Sequence, residues 1–361
     1  MGNLLSFKKF PNKSLFGSCL VVLALALYLG VAWYYITQSY QKQPLQTGRL
    51  ATVQSYGRTD YAKSLDLRIA AKASYPSGVL TTVKDLGATD GIRKQIISFK
   101  VTLDGLTEYG LMYLPAAKAP QVGYPVLILC HGYYDPDQYD TTTGYLDDMQ
   151  FYAKAGFAVI KPDYRGQGLS VAQGQPEGAF YSMAYNTDVL SLVSAVKDTS
   201  NLNGNNISLW GHSMGAYVAL RAGVLSPDIK NIILLSAHDG TALDLFSDYT
   251  STSDQDNPVA LKLREALLIK YGTPVTDPSF WNAASPLSYM KKLKANVEIN
   301  VGQNDIVVPP KFSQDLDAAL SQAGKTHQYF IYAGADHGLI EQRELIWQRS
   351  LQLLQTGSIT T

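Results

Sequence analysis

Apolar positions change their spacing along the chain, and each change predicts a different kind of element. From Leu15 to Ile36 they form one run (LFGSCLVVLALALYLGVAWYYI), and no charged residue lies between Ser14 and Gln41. About 20 such residues suffice for a helix to cross the hydrocarbon core of a bilayer. Lys8, Lys9 and Lys13 precede the run, and Trp33, Tyr34 and Tyr35 close it, where amphipathic rings favour the headgroup region. The pattern predicts a cytoplasmic tail over 1–13, a transmembrane anchor over 14–37 and the bulk of the chain outside the cytoplasm. The alternative is a secreted protein, cleaved after a signal peptide at Gly30-Val31-Ala32. It fits less well, because the apolar part of a signal spans about 7–15 residues.

Residues 38–92 are polar and mixed, without sustained periodicity, and read as a juxtamembrane stalk with a short helical lead-in. Beyond them short apolar runs alternate with helical spacing. Gln95–Val101 and Glu108–Leu114 read as an antiparallel pair around Asp104-Gly105. Pro125–Cys130, Phe157–Lys161, Ile207–Trp210, Ile232–Leu235, Val297–Val301 and Tyr329–Tyr332 read as further strands, the first two suited to burial on both faces. Asp188–Lys197 and Phe312–Ala323 carry helical spacing. Strands alternating with helices predict βαβ units, hence one α/β domain over 93–361: an eight-stranded, mostly parallel sheet with helices on both faces. Residues 237–295 break the rhythm, since an ordinary connection needs only a few residues. They hold a polar loop (Asp248–Asn257), a helix (Val259–Tyr271) and an aromatic segment with Phe280 and Trp281, and are expected to form a small cap over the carboxyl edge of the sheet.

Composition narrows the functional classes. Lys+Arg and Asp+Glu number 30 each, so no cationic excess is available to neutralise nucleic-acid phosphates. With 46% hydrophobic and 17% charged residues the chain is not of the disordered kind. Its two cysteines, Cys19 and Cys130, make no disulfide framework. Neither metal-ligand spacing nor a phosphate-cradling glycine loop occurs, so no cofactor is expected.

The chemistry is concentrated in Gly211-His212-Ser213-Met214-Gly215, which follows a strand and opens a helix of small residues (Ala216, Ala219, Ala222). In that setting G-x-S-x-G is a nucleophile elbow: the serine sits on a strained turn and the glycines let neighbouring backbone pass close by. A serine hydroxyl needs a base, and the base an orienting acid. Because the order in this architecture is serine, acid, histidine, His337 on the loop beyond the last strand is the candidate base. Asp305, on the turn leaving the seventh strand, is the candidate acid. Asp239, after the sixth strand, competes with it, whereas Asp336 diverges from its neighbour's ring. The backbone N–H of Met214 is the first expected oxyanion donor, and the loop Cys130–Tyr134 supplies the second, either the N–H of Tyr133 or a hydroxyl of Tyr133 or Tyr134. Tyr134, Phe280 and Trp281, with Tyr181 and Tyr185, point to an apolar substrate pocket. Cys130 reads as a core residue, and Arg165 in Asp163-Tyr164-Arg165-Gly166 as a local brace.

Together these residues resemble the α/β-hydrolase superfamily from about Gln95 to the C-terminus. Ala284-Ser285-Pro286-Leu287-Ser288-Tyr289, the Gly302-x-x-Asp305-x-x-Val308-Pro309 run and Asp336-His337-Gly338 are similar to the catalytic domain of the prolyl oligopeptidase (S9) family. That resemblance implies cleavage of short peptides through Ser213, Asp305 and His337. Gly-His-Ser-Met-Gly is equally typical of esterases and lipases, which keeps a carboxylesterase in play. A receptor or adhesion domain on a hydrolase scaffold is a third expectation, opposed by the presence of all three triad residues. The sequence thus predicts a membrane-anchored serine hydrolase acting on an ester or short peptide.

Overall fold

The computed structural model describes residues 66–134, 138–171, 184–238, 241, 268–269 and 272–357. The apolar run 15–36, Tyr181, Asp239, the polar loop 248–257 and most of the expected helix 259–271 lie outside these residues. Among the described residues no helix is long and apolar enough to cross a membrane.

Among the described residues nine strands form one sheet: β1 (Thr81–Thr89), β2 (Ile92–Val101), β3 (Leu106–Pro115), β4 (Tyr124–Cys130), β5 (Ala158–Pro162), β6 (Leu202–His212), β7 (Ile229–Leu235), β8 (Asn296–Gly302) and β9 (His327–Tyr332). Their order is β1-β2-β3-β5-β4-β6-β7-β8-β9. The joints β1·β2, β2·β3 and β3·β5 are antiparallel and the rest parallel.

The count corrects the expected eight. The additional strand, β1, falls inside the stretch read as stalk and lead-in, and every one of its residues is exposed. With no face to bury, nothing selects for alternating apolar residues, so the period-two signal that reveals half-buried strands was never written there. The only described helix in that lead-in is the single turn Leu67–Ala70.

The parallel strands divide their side chains between two layers, as a period of two requires. Ile128, Ile160, Leu209, Ile232, Leu234 and Ile299 face one core. It is covered by α2 (Ala184–Asp198), α3 (Met214–Leu225) and α5 (Pro310–Gln322). Leu127, Leu129, Val159, Trp210 and Ile233 face the other, under α1 (Leu146–Lys154) and α6 (Arg343–Thr356). Between α3 and α5 lies α4 (Pro278–Ala284). Parallel pairing sets the carboxyl ends of the strands side by side: Cys130 pairs with Gly211, Gly211 with Leu234 and Gly302 with Tyr332. The loops after β4, β6, β8 and β9 therefore leave from one edge, as in open α/β sheets whose sites lie outside the carboxyl ends of the strands.

Candidate active site

Ser213 stands between β6 and α3 with φ 55° and ψ −122°. Positive φ is uncommon for a residue with a Cβ, and such strain persists only where the surroundings fix it. Its N–H donates to Leu235 O at 2.9 Å. The flanking glycines are demanded by space: a Cβ on Gly215 would overlap the Cys130 carbonyl, and one on Gly211 the Gly215 carbonyl. Helix α3 can therefore start pressed against the end of β4, with Met214 buried in its first turn.

His337 Nδ1 lies 2.8 Å from Asp305 Oδ2, and the side chains are 19% and 0% exposed. The second carboxylate oxygen, Oδ1, accepts the N–H groups of Val307 (3.0 Å) and Val308 (2.8 Å). Burial opposes ionisation of Asp305, but the His337 hydrogen bond and these two amides outweigh it and hold the carboxyl below its ordinary range. Since a carboxylate accepts, Nδ1 carries the proton in neutral His337 and Nε2 keeps its lone pair. Asp336 serves its own turn, accepting Gly338 N–H at 3.0 Å. The elbow meets this pair through His212, whose ring centroid is 5.0 Å from that of His337 and whose Nε2 donates to His337 O at 2.9 Å. Ser236 Oγ donates to the same carbonyl at 2.9 Å.

On the loop after β4, Tyr133 is 63% exposed and Tyr134 is half-buried, edge-on to His131 and Tyr139. The Gly132 N–H is taken by the Tyr145 hydroxyl at 3.0 Å. His131 is fully buried between Tyr139 and Tyr164, and burial lowers its pKa to about 3, so it stays neutral. Burial pushes the Cys130 thiol up to about 12, consistent with a core residue. Phe280 and Trp281 are buried side chains of α4, ring against ring at 5.4 Å, with the indole N–H donating to Gly272 O at 3.0 Å. Tyr185 is buried and stacked on Tyr164. Arg165 does act as a brace, bonding both Asp188 and Asp104. Among the described residues no group of three or more His, Cys, Asp or Glu could hold a metal ion.

Tyr145 went unnoticed in the sequence. It lies on the same connection as Gly132 but 67 residues from His212, and its only local sign is the preceding Gly144, which takes φ 67°.

Comparison with known proteins bears on this geometry. The chain matches part of an epoxide hydrolase from Caballeronia sordidicola, 33% identical over 105 residues, covering 29% of this chain and 28% of the relative. A thiohydrolase from Arthrinium phaeospermum is 27% identical over 143 residues, covering 38% and 41%. The matched stretches thus span less than half of either relative. Among solved structures, the acetyl xylan esterase from Paenibacillus sp. R4 superposes with a TM-score of 0.60 at 16% identity, covering 87% of this chain and 97% of that one. Dipeptidyl peptidase 4 from Porphyromonas gingivalis gives 0.53 at 18% identity, covering 78% and 36%. At such identities the likeness shows the fold. The model of the prolyl oligopeptidase family matches residues 144–355, more than half of the chain and a span that holds Ser213, Asp305 and His337: the chain belongs to that family.

Proposed function

We propose that Ser213, His337 and Asp305 hydrolyse short peptides through an acyl-enzyme. His337 Nε2 takes the proton from Ser213 Oγ as the oxygen bonds to the scissile carbonyl carbon. The tetrahedral oxyanion is met by the N–H of Met214 and, with Gly132 N–H engaged by Tyr145, by the N–H of Tyr133. The imidazolium, steadied by Asp305, then returns its proton to the leaving amine as the C–N bond breaks. Water repeats the cycle against the acyl-enzyme, releasing the acid and restoring the serine. The observation that carries this reading is the Asp305–His337 contact, formed between residues 32 apart in sequence beside a strained serine turn.

A second reading, ester hydrolysis by the same steps with an alcohol leaving, is favoured by one observation. The likeness to the acetyl xylan esterase runs over 97% of that chain, and the likeness to dipeptidyl peptidase 4 over 36%. The test is a parallel screen of p-nitrophenyl esters against aminoacyl and X-Pro chromogenic amides, with fluorophosphonate labelling of wild type and Ser213→Ala. Labelling of wild type alone supports the triad, and the faster substrate series identifies the substrate class. Failure of wild type to label or to hydrolyse either series sinks both readings. The apolar run 15–36 and its lysine-rich approach further support a membrane tether over 14–37 with the catalytic domain outside the cytoplasm. Retention of the full chain in carbonate-washed membranes is the expected result, and release into the wash would overturn it.

A further inference from the structure

We infer that Tyr145 and His212 are positioning residues that fasten the oxyanion loop, the nucleophile elbow and the His337 loop to one another through a single hydrogen-bond chain. The inference rests on Ser213 and His337 being the catalytic pair.

The direction of every bond in the chain is set from its ends. His337 O is a carbonyl and only accepts, so His212 Nε2 carries the proton across 2.9 Å. Burial lowers the His212 pKa to about 4, which leaves the ring neutral and gives Nδ1 a lone pair. The Tyr145 hydroxyl therefore donates to Nδ1 at 2.8 Å. Burial pushes the pKa of that phenol up, so its proton stays in place. The Tyr145 oxygen in turn accepts Gly132 N–H at 3.0 Å. No member can reverse without leaving an unmet polar group.

The backbone supports this chain at a cost. Tyr145 lies at φ 57° and ψ 21°, directly after Gly144 at φ 67°. A bulky aromatic residue in the left-handed region is an outlier that persists only when its surroundings over-determine it. Here the hydroxyl is held at both of its bonds, and the ring stands edge-on to Trp210 at 5.7 Å and to Tyr134 at 6.4 Å. Room for the hydroxyl comes from Gly132, where a Cβ would lie 2.8 Å from Tyr145 Oη and 3.3 Å from His212 Nδ1.

The same stretch grips the His337 loop a second time. Asp148, in the first turn of α1, accepts Arg343 Nη1 at 3.2 Å and Trp347 Nε1 at 2.8 Å, while Arg343 Nη2 donates to Gly338 O at 2.8 Å. Two consecutive carbonyls of the base-bearing loop are thus fixed from the start of α1, one of them through the residue beside the nucleophile. Acyl transfer is sensitive to this kind of placement, because an error of about 1 Å between reacting groups costs on the order of 100-fold.

Tyr145→Phe keeps the ring and removes the hydroxyl. Assayed with p-nitrophenyl acetate, kcat should fall about 10- to 100-fold with KM within about twofold, and affinity for phenylboronic acid, which mimics the tetrahedral intermediate, should fall in step with kcat/KM. His212→Leu should lose a similar factor. His212→Gln, whose amide offers a donor and an acceptor at comparable separation, should recover most of it. The Tyr145→Phe/His212→Leu double variant should be no worse than the poorer single, since both cut one chain. Wild-type kcat in a folded Tyr145→Phe, or additive losses in the double variant, would overturn the inference. In case the variants fold poorly, 15N shifts of wild-type His212 provide an independent reading: the Nε2–H tautomer is expected, and the Nδ1–H tautomer overturns the proposal. Wild type inert to fluorophosphonate at Ser213 removes the catalytic reading and this inference with it. Equal labelling rates for wild type and Tyr145→Phe remove only the inference.

Discussion

Two buried carboxylates are held by side chains on loops that leave the carboxyl edge of the sheet, and they are built to opposite ends. After β5, Arg165 meets Asp188 through Nε (3.0 Å), Nη2 (2.5 Å) and its own backbone N–H (3.0 Å), and Asp104 through Nη2 (2.6 Å). The Arg165 and Asp188 side chains are 12% and 0% exposed. After β8 and β9, Asp305 is saturated by donors in the same manner, but its partner is not: His337 spends one ring nitrogen on the carboxylate and holds the other back. Both centres bury a carboxylate against a nitrogen donor. Only in the second does a ring nitrogen, Nε2, remain outside the contact with the carboxylate, and it is this atom that the proposed proton transfer from Ser213 uses.

Ser213→Ala should sharpen the contrast most, lowering kcat by about 10⁶ on p-nitrophenyl acetate, as losing the nucleophile does in known serine hydrolases, with the thermal midpoint held or raised. Asp305→Asn comes next: geometry is kept but the imidazole loses its orienting charge, and kcat should drop about 10⁴-fold in stopped-flow or burst assays. At the other centre the consequence falls on folding. Arg165→Leu strands a buried Asp188 carboxylate and should cost about 3–5 kcal/mol in urea unfolding, with kcat of the folded fraction little changed. A loss of kcat without loss of stability there would erase the distinction between the centres.

Trp281→Ala tests the aromatic segment in the same terms. As a buried side chain it should cost about 3–5 kcal/mol of stability. If it also lines the substrate pocket, KM for bulky acyl esters rises as well. The smallest effect is expected at Glu108, which is buried on β3 near Asp188 and Asp163; burial, then the Asp188 charge, raises its carboxyl above the ordinary range. A carboxyl raised on folding binds more protons folded than unfolded, so its contribution to stability is present in acid and declines as pH climbs past the ordinary carboxylate range toward neutrality. Glu108→Gln should flatten that decline in thermal midpoints measured from pH 4 to 8.

What could be read from the sequence was what is enforced locally or by alternation. Gly211 and Gly215 announced the elbow because no larger residue fits against the neighbouring carbonyls, and Leu127 to Cys130 announced a strand because both of its faces are buried. Asp305 and His337 followed from chain order once the serine was placed. The expected helix 188–197 extends over Ala184–Asp198, and 312–323 over Pro310–Gln322, differences at the ends where capping rather than periodicity decides. β1 was silent because it has no buried face. The Tyr145–His212 link was silent for another reason: it joins loops far apart in the chain, and a tyrosine ahead of a helix carries no local mark of what its hydroxyl will meet.

β1, one of the two outer strands among the described residues, has one more consequence. A sheet must end somewhere, and an end strand offers unpaired amides and carbonyls to any second molecule that can lie alongside. β1 departs from regular pairing twice, between Thr82 and Lys84 and between Asp85 and Gly87, and carries Lys84 and Asp85 at those irregularities. A ladder interrupted twice in nine residues, and charged at the interruptions, is a poor template for stacking. Crowded copies of the domain are thereby discouraged from zipping into fibres along this border.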